Sequence, residues 1–213
     1  MDETQALLDR VNACASGCDV HSRGCWGFFV VRTSFEDGDD ERVPEAMDRL
    51  DTYGTLRLNS TREINPPTPF AAEIDAEALR RHHNTLITDP TLKDASIGQV
   101  RAFLSTFFKA IPGAHGGPRF LSVILLDTEV LRNLVALPKN PTLKQWRGMV
   151  SWRGKDTQWV KLIDTDEEDG ESCRAYVWDQ SAIFHMLSFK DVGVAELARL
   201  DGDDDDWLFY DGI

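Results

Sequence analysis

Three cysteines and one histidine fall within the run CASGCDVHSRGC, as Cys14, Cys18, His21 and Cys25. Thiolate sulfur and imidazole nitrogen are the ligand atoms of structural zinc, which gathers four of them in a near-tetrahedral shell. The order Cys-Cys-His-Cys supplies the atom types. The spacing is less favourable, because C-x3-C, C-x2-H and H-x3-C contain none of the tight CxxC-type turns that open most zinc modules. A helix running past Gly17 would stack Cys14 and Cys18 one turn apart and oblige His21 and Cys25 to fold back onto them. The favoured reading is therefore a helix end, a loop and a strand with Cys25 at its mouth, since a free cysteine behaves as a small, commonly buried hydrophobe. No cofactor is expected. Zinc on Cys14, Cys18, His21 and Cys25 is the minority alternative.

Four other residues are weak catalytic candidates: Arg32, His115, His185 and Asp164. Arg32 lies in the run CWGFFVVRTSF, where alternation puts Phe28, Val30 and Arg32 on one face and Gly27, Phe29, Val31 and Thr33 on the other. A long cation there either pairs with a carboxylate near another strand end, such as Asp164 or Asp127, or projects into a cleft and binds an anion. It also marks the point where one strand face opens to water. Imidazole titrates near neutrality, which makes His115, His185, His82 and His83 the available general bases. His185 sits among apolar residues in AIFHMLSF, and His82 and His83 adjoin Arg80 and Arg81 on what reads as a solvated helix face. Nothing in the order of residues joins any of them to a nucleophile. His115 belongs to PGAHGGPR, a glycine-rich loop without the G-x-S-x-G elbow that would accompany an oxyanion loop of this kind.

The acidic segments do not make calcium loops. In DTDEEDGESCRA, Asp164, Asp166 and Glu168 hold positions 1, 3 and 5 of an EF-hand register, but glycine comes one place late and Ala175 stands where a bidentate glutamate belongs. The segment DDDDWLFYDG fails in the same manner.

Around these residues the apolar periodicity predicts the elements that must position them. ETQALLDRVNACA reads as an amphipathic helix stopped by Gly17, and CWGFFVVRTSF as the strongest strand. EDGDDERVP reads as a solvated acidic turn, with Pro44 in the first turn of a helix over PEAMDRLDTYGTL. Prolines 66, 67 and 69 make NSTREINPPTPF a loop. DAEALRRHHNTLI reads as a helix with Asp75 as its cap. SIGQVRAFLSTFFKAI reads as another, capped by Ser96. FLSVILLD is a strand buried on both faces, and TEVLRNLVAL a helix capped by Asp127 or Thr128. QWVKLID and CRAYVWD are strands, and QSAIFHMLSF a helix. The sum is one α+β domain over residues 1–200, a mixed sheet of about four strands covered by several helices. Residues 201–213 form an acidic, aromatic tail.

Charge narrows the partners. The chain carries a net charge of −13, and residues 164–213 hold fifteen acids against three bases, so the remainder is close to neutral. Nucleic acid is disfavoured, because phosphate neutralisation needs a basic face and no basic cluster exceeds Arg80-Arg81. Anionic membrane surfaces are disfavoured on the same ground. The start MDETQALLDR has neither the positive charge nor the apolar run of a secretory signal. A cytoplasmic location is expected, with the nucleus also open, and reduced thiols with it.

The segment CWGFFVVRTSFEDGDDERVPEAMDRL resembles the opening of a set of intracellular proteins of filamentous ascomycete fungi, which begin with a Trp-Gly-Phe strand running into Arg-Thr. Three later landmarks, RFLSVILLDTEVLRNL, QWVKLID and RAYVWDQSAIFHML, are similar to it as well. The resemblance implies a fungal source and an α+β fold; it assigns no activity and no catalytic residue. Two functions remain in view. One is a binding protein that meets a protein partner through its loops and the 201–213 tail. The alternative is a cofactor-independent enzyme acting on a small molecule in fungal metabolism. Its pocket would be lined by Trp26, Trp146, Trp152, Trp159 and Trp178 beside Arg32.

Overall fold

Two strands buried on both faces decide the architecture. FVVR and SVILL are buried along their whole length, and strands covered on both faces cannot alternate polar with apolar side chains. The computed structural model describes residues 3–15, 25–56, 58, 69–111, 118–142, 159–165, 172–187 and 194. The strands are β1 (Phe29–Arg32), β2 (Thr85–Thr88), β3 (Ser122–Leu126), β4 (Trp159–Asp164) and β5 (Ser172–Tyr176). They form one sheet in the order β2-β1-β3-β4-β5. β1 lies parallel to both of its neighbours, with Val30 opposite Leu86 on one side and Ile124 on the other. β4 turns antiparallel to β3, pairing Leu162 with Ile124, and β5 continues antiparallel with Ala175 opposite Val160.

Seven helices are described: α1 (Glu3–Ala15), α2 (Asp39–Gly54), α3 (Pro69–Arg80), α4 (Ile97–Lys109), the single turn α5 (Pro118–Leu121), α6 (Thr128–Ala136) and α7 (Gln180–Leu187). They divide between the two faces. Phe28, Val30, Ile124, Leu126, Val160 and Leu162 meet Val43 and Leu50 of α2, Leu131 and Leu134 of α6 and Phe184 of α7 in one core. Phe29, Val31, Val123, Leu125 and Ile163 meet Val100, Leu104 and Phe108 of α4 in the other. Each such side chain contributes about 2 kcal/mol by leaving water. The expected α+β domain with a mixed sheet is therefore present, and the alternation expected along β1 divides it correctly between the two cores.

Several local expectations fail for identifiable reasons. The sheet has five strands, the additional one being β2, which overlaps the end of a stretch read as helix. TLIT is a short edge strand with one face half-exposed, so it carries neither a long apolar run nor clean alternation. Asp75 does not cap α3. That helix begins at Pro69, which loses nothing there because the first N–H groups of a helix are unpaired, and Asp75 is buried within it. The acidic turn is half helical: Gly38 at φ 85 admits the chain, and Asp39, Asp40 and Glu41 form the first turn of α2, where the helix dipole favours anions. Pro44 thus sits inside the helix, past its first turn. Ser96 caps α4 as expected and forms a full capping box with Gln99, and Asp127 is the cap of α6, accepting from the Val130 amide.

Candidate functional site

In an open sheet, ligands gather outside the carboxyl ends of parallel strands, where successive connections leave in opposite directions. Here that place lies between β1, whose connection runs to β2, and β3, whose connection runs the other way to β4. The two strands end at Arg32 and Leu126, which are register partners. Beyond both strand ends the chain turns polar, with Thr33 and Ser34 ahead of Phe35 after β1, and Asp127 and Thr128 after β3.

Arg32 is buried. Its Nε donates to the Ser34 carbonyl at 2.6 Å, its guanidinium lies 4.2 Å from the centre of the Phe35 ring, and Nη1 contacts Asp40 Oδ1 at 2.6 Å. The carboxylate it meets is thus neither Asp164 nor Asp127, and the side chain does not mark an opening of the sheet to water. Asp40 itself is 88% exposed. The guanidinium is held from behind by protein and neutralised from the front by a solvated group.

Beside it stands Asp39, with only 1% of its surface accessible. Its Oδ2 accepts the hydroxyl of Ser34 in a short hydrogen bond and the Glu36 amide at 3.0 Å. Burial works to raise this carboxyl. The hydrogen bonds from Ser34 and Glu36 and the charges of Arg42 and Arg32 outweigh it and hold the group below its ordinary value. The Ser34 hydroxyl also lies 3.0 Å from Thr128 Oγ1, which ties the end of β1 to the start of α6. Lys161 reaches the same edge from β4, with Nζ 2.5 Å from Asp127 Oδ2.

Sequence reasoning singled out Arg32 and missed Ser34, Asp39, Thr128 and Lys161. The available signal was the run RTSFEDGDD, polar apart from Phe35, at the end of a fully buried strand, where the chain leaves the sheet at its carboxyl edge. Its acidity made it read as solvated.

The other expected site residues lie elsewhere. Asp164 ends β4 opposite Ser122, which puts it at the amino end of β3 and across the sheet from Arg32. It is buried there; its backbone carbonyl accepts from Arg101 Nε at 2.8 Å and its Oδ2 from the Val194 amide at 3.4 Å. His115, Cys18 and His21 lie outside the described residues, and so do the side chains of His185 and Cys14, although α7 and α1 contain those two positions. The zinc expectation on Cys14, Cys18, His21 and Cys25 therefore rests on Cys25 alone among described side chains. No group of three potential metal ligands occurs among the described residues. Residues 201–213, Trp146 and Trp152 are likewise outside them. Trp26, Trp159 and Trp178 are members of the core, and Trp26 stands at the opposite end of the sheet.

That opposite end holds a second polar cluster, also unforeseen. Asn84 accepts the Phe28 amide on Oδ1 at 2.8 Å and donates from Nδ2 to Asp51 at 2.9 Å and to Gln180 Oε1 at 3.1 Å. Gln180 in turn donates to the carbonyls of Leu50 and Val177. His82 is not on a solvated helix face: its side chain is 5% exposed and packs on Trp26 with ring centres 4.4 Å apart. Burial pulls its pKa down to about 4, helped by the charges of His83 and Arg119 and opposed by a hydrogen bond with Gln180. Asp51, in contrast, is raised by burial, with Asn84 opposing.

The chain matches no family model, no curated protein and no solved structure. No helix among the described residues is long and apolar enough to cross a membrane.

Proposed function

We propose that this is a binding protein that engages a partner protein at the carboxyl edge of β1 and β3, with the acidic segment 201–213 as a second contact. The observation that carries the reading is the Arg32–Asp40 pair. A guanidinium fixed by Ser34 and Phe35 is a preformed fork for a carboxylate. Its present partner is a solvated one, with 88% of the Asp40 side chain in water. A carboxylate offered by a partner replaces Asp40 at little cost. The concentration of acids in the last fifty residues supports a second, oppositely charged contact on the same partner.

Capture from a native extract with the full chain tests it. Asp40→Ala frees the fork and should strengthen retention of the captured protein. Arg32→Gln and deletion of 201–213 should each release it while leaving the far-UV circular dichroism unchanged. Identical capture by all four proteins rejects the proposal.

A second reading has one observation in its favour. The Ser34 hydroxyl donates to a buried, ionised Asp39, which is the pairing of a nucleophile with a general base. On that reading the protein is a cofactor-independent enzyme acting on a small molecule at the same edge. A fluorophosphonate reagent should then label Ser34, and an unlabelled Ser34 after prolonged exposure excludes it.

A further inference from the structure

We propose that Arg119 anchors a binding site for a small monocarboxylate with an apolar chain, at the amino edge of the sheet on the face that α4 covers. Arg119 sits on α5, just before β3, and is 3% exposed. Its Nη2 donates to Thr85 Oγ1 at 2.7 Å. Nε and Nη1 find no hydrogen-bond acceptor, and no carboxylate among the described residues pairs with the side chain. A guanidinium stays charged at every ordinary pH. Removed from water without a partner, it is the kind of buried cation that calls for an anion.

Its surroundings decide which anion. Phe29 and Thr85 are register partners on neighbouring strands, so their side chains point to the same face. The guanidinium lies over the Phe29 ring, 4.9 Å from its centre, which leaves the N–H bonds along its edge for an acceptor. One positive charge beside aromatic rings is balanced by one negative charge, and a dianion would bury a second, uncompensated one. A carboxylate meets two N–H bonds of a guanidinium side by side. Nη2 keeps a second N–H beyond the one given to Thr85, so it shares such a carboxylate with Nε or with Nη1.

The apolar chain follows from the rings. Phe29, Phe108 and Phe120 pack together with pairwise ring centres 5.1–5.6 Å apart, and Phe107 joins them at 6.4 Å from Phe29. The first three are almost wholly buried, whereas Phe107 and Thr85 are half-buried. A ligand therefore enters past Phe107 and Thr85, resting its chain on the rings and its carboxylate on the guanidinium. This edge of the sheet is the opposite one from Arg32, so the two sites are independent.

The test uses the full chain, dialysed free of carboxylate buffers, and NMR titration with isotope-labelled propionate. Propionamide, chloride and sulfate are the comparison probes. Propionate should bind saturably and at least about tenfold tighter than any of the three, the worth of one hydrogen bond to a charged group. Arg119→Gln should weaken it about tenfold or more, and Arg119→Lys, which keeps the charge without the planar fork, should fall between. Independently of either variant, intermolecular NOEs should connect the propionate methyl group to the Phe29 and Phe107 rings of the native chain. The proposal is overturned if propionate binding does not saturate, if any comparison probe binds as tightly, if folded Arg119→Gln binds propionate unchanged, or if the NOEs come from other rings.

Discussion

Replacing Asn84 by alanine tests the polar cluster at the amino end of the sheet. The side chain makes four hydrogen bonds, three of them close, to the Phe28 amide, to Gln180 Oε1 and to Asp51, and a longer one of 3.4 Å to His82 Nε2. Phe28 and Gln180 are almost wholly buried, so neither group recovers its bond from water without opening the core. Leaving a buried donor or acceptor unpaired costs about 1–3 kcal/mol. Asp51 has half of its side chain in solvent and exchanges Asn84 for water at almost no cost. The expected loss is therefore about 2–4 kcal/mol, carried by Phe28 and Gln180. For a domain of this length that lowers Tm by roughly 5–15 °C. In urea it should shift the midpoint without changing the slope. Asn84→Asp separates the contributions. It keeps an acceptor for Phe28 but turns a carboxylate toward Asp51 and Gln180 Oε1, so it should be at least as damaging at about pH 7 and partly recover on acidification. A loss below about 0.5 kcal/mol in Asn84→Ala would refute the argument, since it would mean that this amide is not what satisfies the core.

Three further outcomes are expected. His82 binds its proton at about 4 in the folded chain against 6.5 when unfolded. Stability should therefore hold above about pH 6.5 and fall as the pH drops toward about 4, by about 3 kcal/mol in all; His82→Phe should flatten this slope, and an imidazole that titrates near its unfolded value in the native NMR spectrum contradicts it. Gly27→Ala should destabilise by about 3 kcal/mol or more, because φ is +113° and the added Cβ would stand 2.7 Å from the His83 carbonyl oxygen; thermal melting gives the answer. Ser96→Ala, which removes the capping box of α4, should cost about 1 kcal/mol in urea titrations.

Whether a feature is legible in the sequence depends on how local it is. β3 and β1 announce themselves because a strand buried on both faces is apolar throughout. Ser96 and Asp127 are legible as caps because a cap and the helix it serves lie close together in the chain. β2 is not, since a short edge strand joins the sheet only through β1, far away in the chain. Nor is His82: a neighbouring pair of arginines suggests water, whereas Trp26 covers the ring. Arg32 stands out as anomalous, yet its carboxylate lies on a helix that begins inside the supposed acidic turn. Gly38 alone hints at that start.

β1 also sets the order in which the molecule can be assembled. It finds its lateral partners only in Thr85–Thr88 and Ser122–Leu126, while β5 finds its one partner, β4, across a short connection. During synthesis the greasy β1 leaves the ribosome long before either neighbour exists, whereas the last two strands zip together as soon as they emerge. Long-range parallel pairing of this sort is slow. Nascent chains stalled before residue 126 should therefore be the ones that clump or recruit chaperones, and those stalled beyond it should not.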